Sequence, residues 1–497
     1  MGPTEEPPAA GEPARHGLEQ LIEERRAKAQ RLRESGEQDF PYEFPEVEPI
    51  EDVLGAYEHL QTGEETEDRH RVAGRILAVR RGGGSAFLDL VDRTGKIQLH
   101  AREDVLGNDA FKRLTTLDSG DLIGVDGAPL RSRRGELTLR VDSFVILAKA
   151  LRPPPEKHHG LSDVETRLRR RELDLIANEP TRRLFIDRAR VISAVRSYLD
   201  ENGFVEVETP VLQPLYGGAL ARPFTTHHNA LDRDLYLRIA TELYLKRLLV
   251  GGLERVYELG KDFRNEGLST KHNPEFTMVE WYEAYADYLR EADRLQEIVR
   301  RAATAAGYEG ELDFGSPWRR VTFFEAIAQA TGIELGADRD APALARQITE
   351  RGLEVRVEDA SWGQMADDLL SKYVEPTLQQ PSFVFDYPVE LSPFARSHRE
   401  QPGLVERWEA FAGGMEIANA FSELTDPDIQ RERFEAQVRL QQQGDQEAQP
   451  YDEGFVEALE QGMPPAGGVG LGVDRLVMLL TGRDSIREVV LFPALRG

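Results

Sequence analysis

Apolar and polar residues alternate with a period of two along much of the segment from 66 to 150, which predicts a series of short β-strands. Leu88 and Leu90 fall on one face of the first run and Phe87 falls on the other. In a later run, Leu139 falls inward and Thr138 falls outward. Several short strands in a segment of this length are typical of a small barrel such as the OB-fold, a five-stranded barrel with a Greek-key path. The alternation therefore predicts a β-barrel with an apolar interior.

The polar faces of these strands hold candidates for nucleic-acid binding. Phe87, Gln98 and Glu136 lie outward by the alternation, and an outward ring beside polar groups can stack on an unpaired base. A single surface aromatic is also ordinary and requires no function, so the pattern alone leaves both interpretations open. Arginines near the same strands can face phosphates: they are Arg71, Arg75, Arg80, Arg81, Arg131, Arg133 and Arg134.

Three features of the chain predict its division into domains. Residues 1–14 are rich in Pro, Ala and Glu, which predicts disorder. Residues 18–33 show a helical pattern with many charged residues and few apolar positions. The run Arg152–Pro155 reads as a stiff linker. We therefore expect a disordered start and helical extension over 1–62, the barrel over 63–151, and a second domain over 152–497.

The second domain mixes helical and strand patterns, so the fold class is α+β. Residues 190–199 carry apolar side chains at helical spacing, and a strand pattern follows over 204–210. About 290–360 reads as a helical insert. The final part passes from the glycine-rich run 467–474 into an apolar helix.

The stretch 408–424 predicts a β-hairpin that turns at two adjacent glycines. A two-residue loop places Phe411 opposite Glu416, with Glu409 as a diagonal neighbour ~7–8 Å away at Cα. Two such carboxylates suit Mg²⁺, which prefers oxygen ligands and keeps water or phosphate in its other positions. The alternative is two solvated strand carboxylates. In a flat strand three more polar or aromatic residues face away from Glu416, so a shared pocket needs strong twist or a bulge; these are Asn419, Phe421 and Glu423.

Charge and composition exclude several classes of protein. The 497 residues include 62 basic and 88 acidic side chains, so the formal net charge is −26. The absence of cysteine excludes disulfides, thiolate zinc sites and cysteine nucleophiles. No apolar run approaches the ~18 residues of a membrane helix, and the first residues lack a signal-peptide core, so we expect a soluble cytoplasmic protein without membrane association. The segment 63–150 differs from the rest, with 15 basic and 14 acidic side chains.

The common nucleotide-binding motifs are absent. Residues 82–85 lack the Lys-Ser/Thr ending of a P-loop, and the glycines of 467–472 do not match the dinucleotide-binding pattern. A nucleotide site would therefore rely on single arginines such as Arg264 and Arg475, whose fork of donors fits phosphate. A lone arginine is also common as a surface ion-pair partner, so spacing leaves the choice open.

Three motifs resemble those of the class II lysyl-tRNA synthetases of bacterial type. FRNEG at 263–267 and HNPEFT at 272–277 closely resemble motif 2 of that family, which spans about 255–282 here. Motif 1 is similar across about 190–212, and motif 3 across about 468–480. Two more stretches resemble the lysyl-tRNA synthetases, namely 217–247 and 416–424.

The resemblance implies both an architecture and a reaction. It implies an OB-fold that binds the anticodon, a six- or seven-stranded antiparallel catalytic sheet flanked by helices, and a homodimer formed partly through motif 1. The implied reaction joins L-lysine to ATP as lysyl-adenylate and then transfers lysine to the 3′ end of tRNA(Lys). Mg²⁺, with up to three ions beside ATP, is the implied metal.

The resemblance also implies the role of each site residue. For lysine, Gly218 and Glu242 hold the α-amino group, Arg264 and Asn419 the carboxylate, and Glu280, Tyr282 and Glu423 the ε-ammonium, with Phe421 on the stem. For ATP, the implied residues are Arg264, Glu266, His272, Phe276 and Arg475, of which Arg264, Glu266 and Arg475 are catalytic. Glu409 and Glu416 are the implied metal ligands. The implied anticodon readers are Arg80, Phe87, Gln98 and Glu136.

Two alternative functions remain beside the lysine ligase. A sister synthetase for Asp or Asn would share the architecture, but three acidic residues in the pocket would repel an acidic substrate. A non-catalytic RNA-binding or regulatory paralogue would be expected to lose an arginine or glutamate of motifs 2 and 3, and all are present. The chain departs from the family pattern at Leu168, Glu172, Leu220, Thr241 and Met415.

The acidic excess is consistent with tRNA binding because it lies outside the barrel segment. We hypothesise that the excess is an adaptation to a high-salt cytoplasm, where long-range repulsion is screened. GC-rich coding is the alternative, and it accounts for the 53 arginines against 9 lysines but not for the acidic excess.

Overall fold

The computed structural model describes residues 12–34, 40–155, 161–336, 338–392, 395–442 and 448–496. The chain divides into two compact units, 1–162 and 163–497, so the division lies beyond the linker at which the sequence placed it. Most of the start expected to be disordered, 1–11, lies outside the described residues. Helix α1 begins at Glu12, so the prediction of disorder for 12–14 is wrong.

The first unit contains a closed five-stranded barrel with the strand order β1-β2-β3-β5-β4. Neighbouring strands are antiparallel except β3 and β5, which are parallel. The predicted OB-fold is thus confirmed. Its elements are α1 (Glu12–Glu34), α2 (Ile50–Ala56), β1 (His70–Gly82), β2 (Ser85–Val91), β3 (Lys96–Arg102), α3 (Glu103–Leu106), α4 (Asn108–Thr115), β4 (Leu122–Arg131) and β5 (Leu137–Ala148).

The alternation predicts the barrel interior correctly but describes its outer face only in part. The residues assigned inward pack in one buried cluster that includes Leu88, Leu90 and Leu139. Gln98 and Thr138, which the pattern places outward, are also buried, at 8% and 0% exposed. These two buried side chains are hydrogen-bonded to each other, because Thr138 Oγ1 donates to Gln98 Oε1 over 3.1 Å.

The second unit is built on an eight-stranded sheet with the order β12-β13-β14-β15-β16-β11-β10-β6, beside a three-stranded sheet β7-β9-β8. Its first elements are α5 (Val164–Arg169), α6 (Arg171–Ala177), α7 (Glu179–Glu201), β6 (Val205–Glu206), β7 (Leu212–Gln213), β8 (Thr225–His228), β9 (Arg233–Leu237), α8 (Glu242–Val250), β10 (Arg255–Phe263), β11 (Glu275–Ala284) and α9 (Tyr288–Ala306). The later elements are β12 (Arg319–Thr322), α10 (Phe323–Thr331), α11 (Ala341–Glu350), α12 (Trp362–Leu369), β13 (Ser382–Pro388), β14 (Leu404–Ala412), β15 (Met415–Ser422), α13 (Pro427–Gln442), α14 (Glu453–Glu460), β16 (Ala466–Gly472), α15 (Val473–Thr481) and α16 (Ile486–Val489).

This sheet differs from the expected one in strand number and direction. It has eight strands among the described residues, and the pairs at its two edges, β12-β13 and β10-β6, are parallel. Strand β12 belongs to the segment expected to be a helical insert, so that expectation is wrong at 319–322. The expected strand over 204–210 pairs with the sheet only through its short middle part, β6.

Two apolar clusters hold the sheet between helices. One side packs against α7, α9 and α15, with Trp281 and Trp408 fully buried there. A second cluster joins β13 and β14 to helices α10 and α11 of the insert and to α12, which follows it. Because helices cover both clusters, the polar residues of the central strands are concentrated around one cavity. No helix in the described ranges is long and apolar enough to cross a membrane.

Candidate active site

A cavity of about 390 Å³ opens over the central strands β11, β15 and β16. It brings together segments far apart in sequence, including the loop after β10, the β14–β15 hairpin and the start of α15. Of the catalytic-domain residues named by the resemblance, only Glu423 is absent from its lining. The lining residues among them are Gly218, Glu242, Arg264, Glu266, His272, Phe276, Glu280, Tyr282, Glu409, Glu416, Asn419, Phe421 and Arg475.

A β-bulge in the β14–β15 hairpin directs residues that the sequence pattern placed on opposite faces of the strand into one cavity. Phe411 pairs with Glu416 as expected, but the register shifts after Ala410, so that Glu409 pairs directly with Asn419. An extra residue in one strand moves the following side chains to the other face. The conflict noted in the flat-strand pattern is thus resolved, since Glu416 and Asn419 both line the cavity.

An acidic, buried pocket formed by Glu242, Glu280 and Glu423 adjoins the cavity at one end, where Glu242 and Glu280 belong to the lining. These side chains belong to α8, β11 and the residue after β15, and each residue is at most 6% exposed. Glu280 Oε2 and Glu423 Oε1 accept no hydrogen bond from the described residues. Glu280 has no cationic partner among the described residues and therefore favours a cationic ligand, because burial of an unpaired charge is costly.

The pKa values of the pocket reflect this burial. Desolvation, with Asp262 and Glu242 nearby, raises the pKa of Glu280 to about 8. Desolvation also raises the pKa of Glu423 to about 7, although Lys246 opposes the shift. At neutral pH the Glu280 carboxyl therefore retains a proton that a bound ammonium would displace.

Lys246 is a pocket residue that the sequence analysis missed. Its ammonium is 1% exposed and lies 2.6 Å from Glu242 and 2.5 Å from Glu423. These carboxylates raise its pKa despite its burial, so it remains charged. The available signal was its position four residues after Glu242, on the same face of a helix.

Glycines create the space of the pocket. Gly218 has a φ of +86°, and a Cβ there would lie 2.9 Å from the Cβ of Glu242. A Cβ on Gly468 would lie 2.1 Å from Glu423 Oε1 and 2.3 Å from a ring carbon of Tyr282. Side chains at these two positions would fill the space beside the carboxylates.

The opposite end of the cavity is cationic and aromatic. The guanidinium of Arg264 lies 5.0 Å from the centroid of the Phe276 ring. Arg475 donates to Glu416 Oε2 over 3.0 Å and contacts His272 Nε2 at 3.2 Å. Burial and Arg475 lower the pKa of His272, so its ring is neutral and can accept from this arginine. Glu266 is exposed at the mouth.

The hairpin carboxylates Glu409 and Glu416 are the residues of the cavity that could hold a divalent cation. No cluster of three His, Asp or Glu side chains suited to a metal occurs in the described part of the chain. Two carboxylates still fit Mg²⁺, which can take its other oxygens from water and phosphate. Desolvation raises the pKa of Glu409 to about 7, with Arg407 opposing and Glu416 adding to the shift, and a cation between the carboxylates would offset this cost.

The residues that depart from the family pattern lie in different surroundings. Leu220 lines the cavity and is half exposed, whereas Thr241 is buried and directs its N–H toward Glu280 Oε1 at 3.4 Å. Met415 packs in the apolar cluster behind the sheet. Leu168 is buried, and Glu172 pairs with Arg170 at 2.6 Å.

The barrel residues proposed to read bases form a connected polar and aromatic surface. The Phe87 ring stacks on His100 with centroids 4.5 Å apart. Arg80 pairs with Asp89 at 2.7 Å. Gln98 donates to Glu136 Oε2 over 2.8 Å, so the buried Gln98 is held beside an exposed carboxylate.

Comparisons with known proteins agree with this geometry. The family profile described as tRNA synthetases class II (D, K and N) matches residues 163–496, and that of an OB-fold nucleic acid binding domain matches residues 70–147. Among curated proteins, the lysine–tRNA ligase of Carboxydothermus hydrogenoformans is 48% identical, over 96% of this chain and 98% of that protein. Those of Gloeobacter violaceus and Moorella thermoacetica are each 49% identical, with the same two coverages. The chain therefore belongs to the class II tRNA synthetases of the D, K and N group.

Proposed function

We propose that the protein is a lysine–tRNA ligase that activates L-lysine with ATP and transfers it to tRNA(Lys). The observation that carries this function is the buried acidic pocket of Glu242, Glu280 and Glu423, which suits an amino acid with two ammonium groups. Curated lysine–tRNA ligases align with the chain over nearly its whole length. Because tRNA charging supplies translation, we place this activity in the cytoplasm.

The pocket distinguishes lysine from the substrates of sister enzymes. Aspartate would bring a carboxylate toward buried carboxylates, and asparagine would leave the Glu280 carboxylate without a cation. A site that leaves a buried polar group unpaired rejects the wrong ligand strongly. The alternative of a non-catalytic paralogue is disfavoured because Arg264, Glu416 and Arg475 all meet in the cavity.

The activation step requires positioning and charge neutralisation rather than a nucleophilic side chain. The lysine carboxylate attacks the α-phosphorus of ATP, and the bond to pyrophosphate breaks. We assign Arg264 to the carboxylate and then to the α-phosphate, and Arg475 to the γ-phosphate. Phe276 offers a ring for the adenine, with Glu266 and His272 beside it. Such prearranged donors stabilise charge that develops in the transition state.

We assign Glu409 and Glu416 to Mg²⁺, with up to three ions accompanying ATP. The metal would neutralise phosphate charge and orient the leaving pyrophosphate. In the structure Glu416 pairs with Arg475 at 3.0 Å, and both side chains line the cavity. Binding of ATP would therefore exchange this ion pair for contacts to metal and phosphate.

Charging of purified tRNA tests the proposed function. The protein should transfer labelled lysine to tRNA(Lys) with ATP and Mg²⁺, because both units of the chain are present. Labelled aspartate and asparagine with their own tRNAs serve as controls. Charging of either of these in place of lysine would overturn the proposal.

We expect lysine binding to release a proton near neutral pH. Burial raises the pKa of Glu280 to about 8, and an ammonium beside it favours the ionised carboxylate. The KM for lysine should therefore fall as pH rises from 6 to 8. Titration calorimetry at pH 7 in two buffers of different ionisation enthalpy measures the release, with about one proton per site expected. A binding heat that is equal in the two buffers would contradict this assignment.

We expect Phe87→Ala to weaken tRNA binding without affecting lysine activation. Stacking of a base on an aromatic ring contributes about 1–3 kcal/mol, so the KM for tRNA should rise about tenfold or more. Val145, an exposed apolar residue of the same barrel, supplies the control variant Val145→Ala. An equal loss of tRNA charging and adenylate formation in the Phe87 variant would rule out the anticodon role. Arg80, Gln98 and Glu136 are proposed to act at the same surface.

We propose a homodimer that forms through the motif 1 region. Apolar side chains around the edge strand β6 and strand β7 are at least 40% exposed, which is typical of an interaction surface. Sedimentation should give twice the mass of the 56.0 kDa chain, and Leu212→Glu should reduce it to one chain. A native protein that sediments as a single chain would contradict the proposal. The exposed residues are Val205, Val211, Leu212 and Leu215.

A further inference from the structure

Arg407 of β14 occupies the wall of the cavity between the two ends of the site. No role is assigned to it by the sequence motifs. Its side chain is 14% exposed, and its guanidinium lies 4.5 Å from the Tyr387 ring centroid and 5.6 Å from that of Phe421. It is thus held between two aromatic rings, and it lies in the cavity lining itself.

The donors of Arg407 are directed at three different elements. Nε donates to Asn419 Oδ1 over 2.9 Å, and Nη2 donates to Glu409 Oε1. Nη1 donates to the carbonyl of Leu391 over 2.9 Å and to Ser392 Oγ over 2.7 Å. A planar guanidinium with this many partners has little freedom to rotate.

The contact with Asn419 determines which way its amide faces. Arginine has donors only, so the atom of Asn419 beside Nε must be the oxygen. The amide nitrogen is then available as a donor to the cavity that Asn419 lines. A substrate carboxylate has acceptors only, so it can bind the nitrogen of this amide and not its oxygen.

The contact with Glu409 orients a second ligand in the same way. Arg407 binds one oxygen of this carboxylate, and the Tyr387 hydroxyl donates to the other over 2.8 Å. Each oxygen retains a lone pair for a cation. Arg407 is thus shared by the proposed lysine and metal sites.

We propose that Arg407 is a positioning residue that presents the Asn419 amide nitrogen to the lysine carboxylate and the Glu409 carboxylate to the metal. This inference rests on the proposed function, because it needs the roles given there to Asn419 and Glu409. It predicts that one substitution alters lysine binding and metal dependence together, although Arg407 itself binds neither.

The test measures two quantities in ATP–pyrophosphate exchange: the KM for lysine and the Mg²⁺ concentration for half-maximal rate. Arg407→Gln should raise each about tenfold, which corresponds to the loss of one charge-assisted hydrogen bond. Arg407→Lys should also raise the KM for lysine, because an ammonium has no donor at the Nε position. Either variant tests the lysine side if the other fails to fold. Arg171→Gln is the matched control, since that buried arginine donates to three carbonyls outside the cavity.

Two further variants separate the contacts of Arg407. Tyr387→Phe removes only a donor to Glu409, so it should raise the Mg²⁺ requirement about threefold and leave the KM for lysine unchanged. Asn419→Ala should raise the KM for lysine about tenfold in the native protein but less than about twofold in the Arg407→Gln background, because the amide is no longer oriented there.

The outcomes distinguish failure of this inference from failure of the proposed function. If Asn419→Ala and Glu409→Gln leave lysine binding and Mg²⁺ dependence unchanged in the native protein, the proposed site assignments are wrong and the inference falls with them. If these variants act as expected but Arg407→Gln changes neither quantity, the inference alone is overturned. It is also overturned if the effect of Asn419→Ala is the same in both backgrounds.

Discussion

Replacement of Arg264 by alanine should lower the kcat of lysine-dependent ATP–pyrophosphate exchange about 10³-fold. The reason is that Arg264 is proposed to bind the carboxylate and then the charge that develops on the α-phosphate, and loss of one such donor typically costs about 10²–10³-fold in rate. The fold should persist, because among the described residues the Arg264 side chain makes only a long 3.4 Å hydrogen bond to Ile239 O and the contact with Phe276.

The Arg264 result needs controls for charge and for folding. Arg264→Lys keeps the charge but loses the two-pronged donor, so its rate should lie between those of the native protein and the alanine variant. Arg346→Ala removes an exposed arginine of helix α11, outside the cavity lining, and should exchange at the native rate. If Arg264→Ala changed the KM for ATP but left kcat unaltered, its proposed role at the α-phosphate would be incorrect.

Lys246→Met should produce the largest loss of stability among the site variants. It removes a buried cation that lies within 2.6 Å of both Glu242 and Glu423, and removal of one partner from a buried ion pair costs about 3–5 kcal/mol. The free energy of unfolding should fall by that amount at pH 8, as measured by urea denaturation. The KM for lysine should rise as well, because both carboxylates lose the cation that fixes them.

The pH dependence of this variant identifies the cause. Burial raises the pKa of Glu423 above its unfolded value, and loss of the opposing Lys246 charge raises it further, so the folded state of the variant binds more protons. The stability lost at pH 8 should therefore be partly recovered near pH 5.5. Lys372→Met provides the control, because within the described ranges the exposed Lys372 ammonium donates only to the carbonyl of Glu354, and its loss should cost less than about 0.5 kcal/mol. A pH-independent loss in the Lys246 variant would indicate a packing defect instead.

The alternation of apolar and polar residues predicted the features that depend on neighbouring residues of one strand, namely which side chains face inward and where a strand is distorted. The alternation around Leu88 and Leu139 placed the barrel interior correctly because the two faces of a strand meet different surroundings. The need for a bulge near Glu416 also followed from the pattern, since one cavity required residues from both faces. Most other site residues came from the resemblance of whole motifs, which spacing alone did not identify.

The missed features depend on contacts between distant segments. Strand β12 joins the sheet beside β13, a partner some sixty residues later, and no local pattern reports such a pairing. The sequence places Lys246 one helical turn after Glu242, but only the fold places it against Glu423. Arg407 shares a strand face with Glu409, but its contact with Ser392 depends on a loop. The burial of Gln98 likewise depends on the neighbouring strand β5, whose Thr138 pairs with it about forty residues later.

ATP–pyrophosphate exchange with single amino acids tests the central claim most directly. The acidic pocket predicts exchange with L-lysine and none above background with aspartate or asparagine at the same concentration. Glu423→Gln in the same assay should reduce lysine-dependent exchange, because the buried carboxylate would become neutral. Exchange that depends on aspartate or asparagine rather than lysine, or no exchange with any amino acid, would contradict the assignment of this chain as a lysine–tRNA ligase.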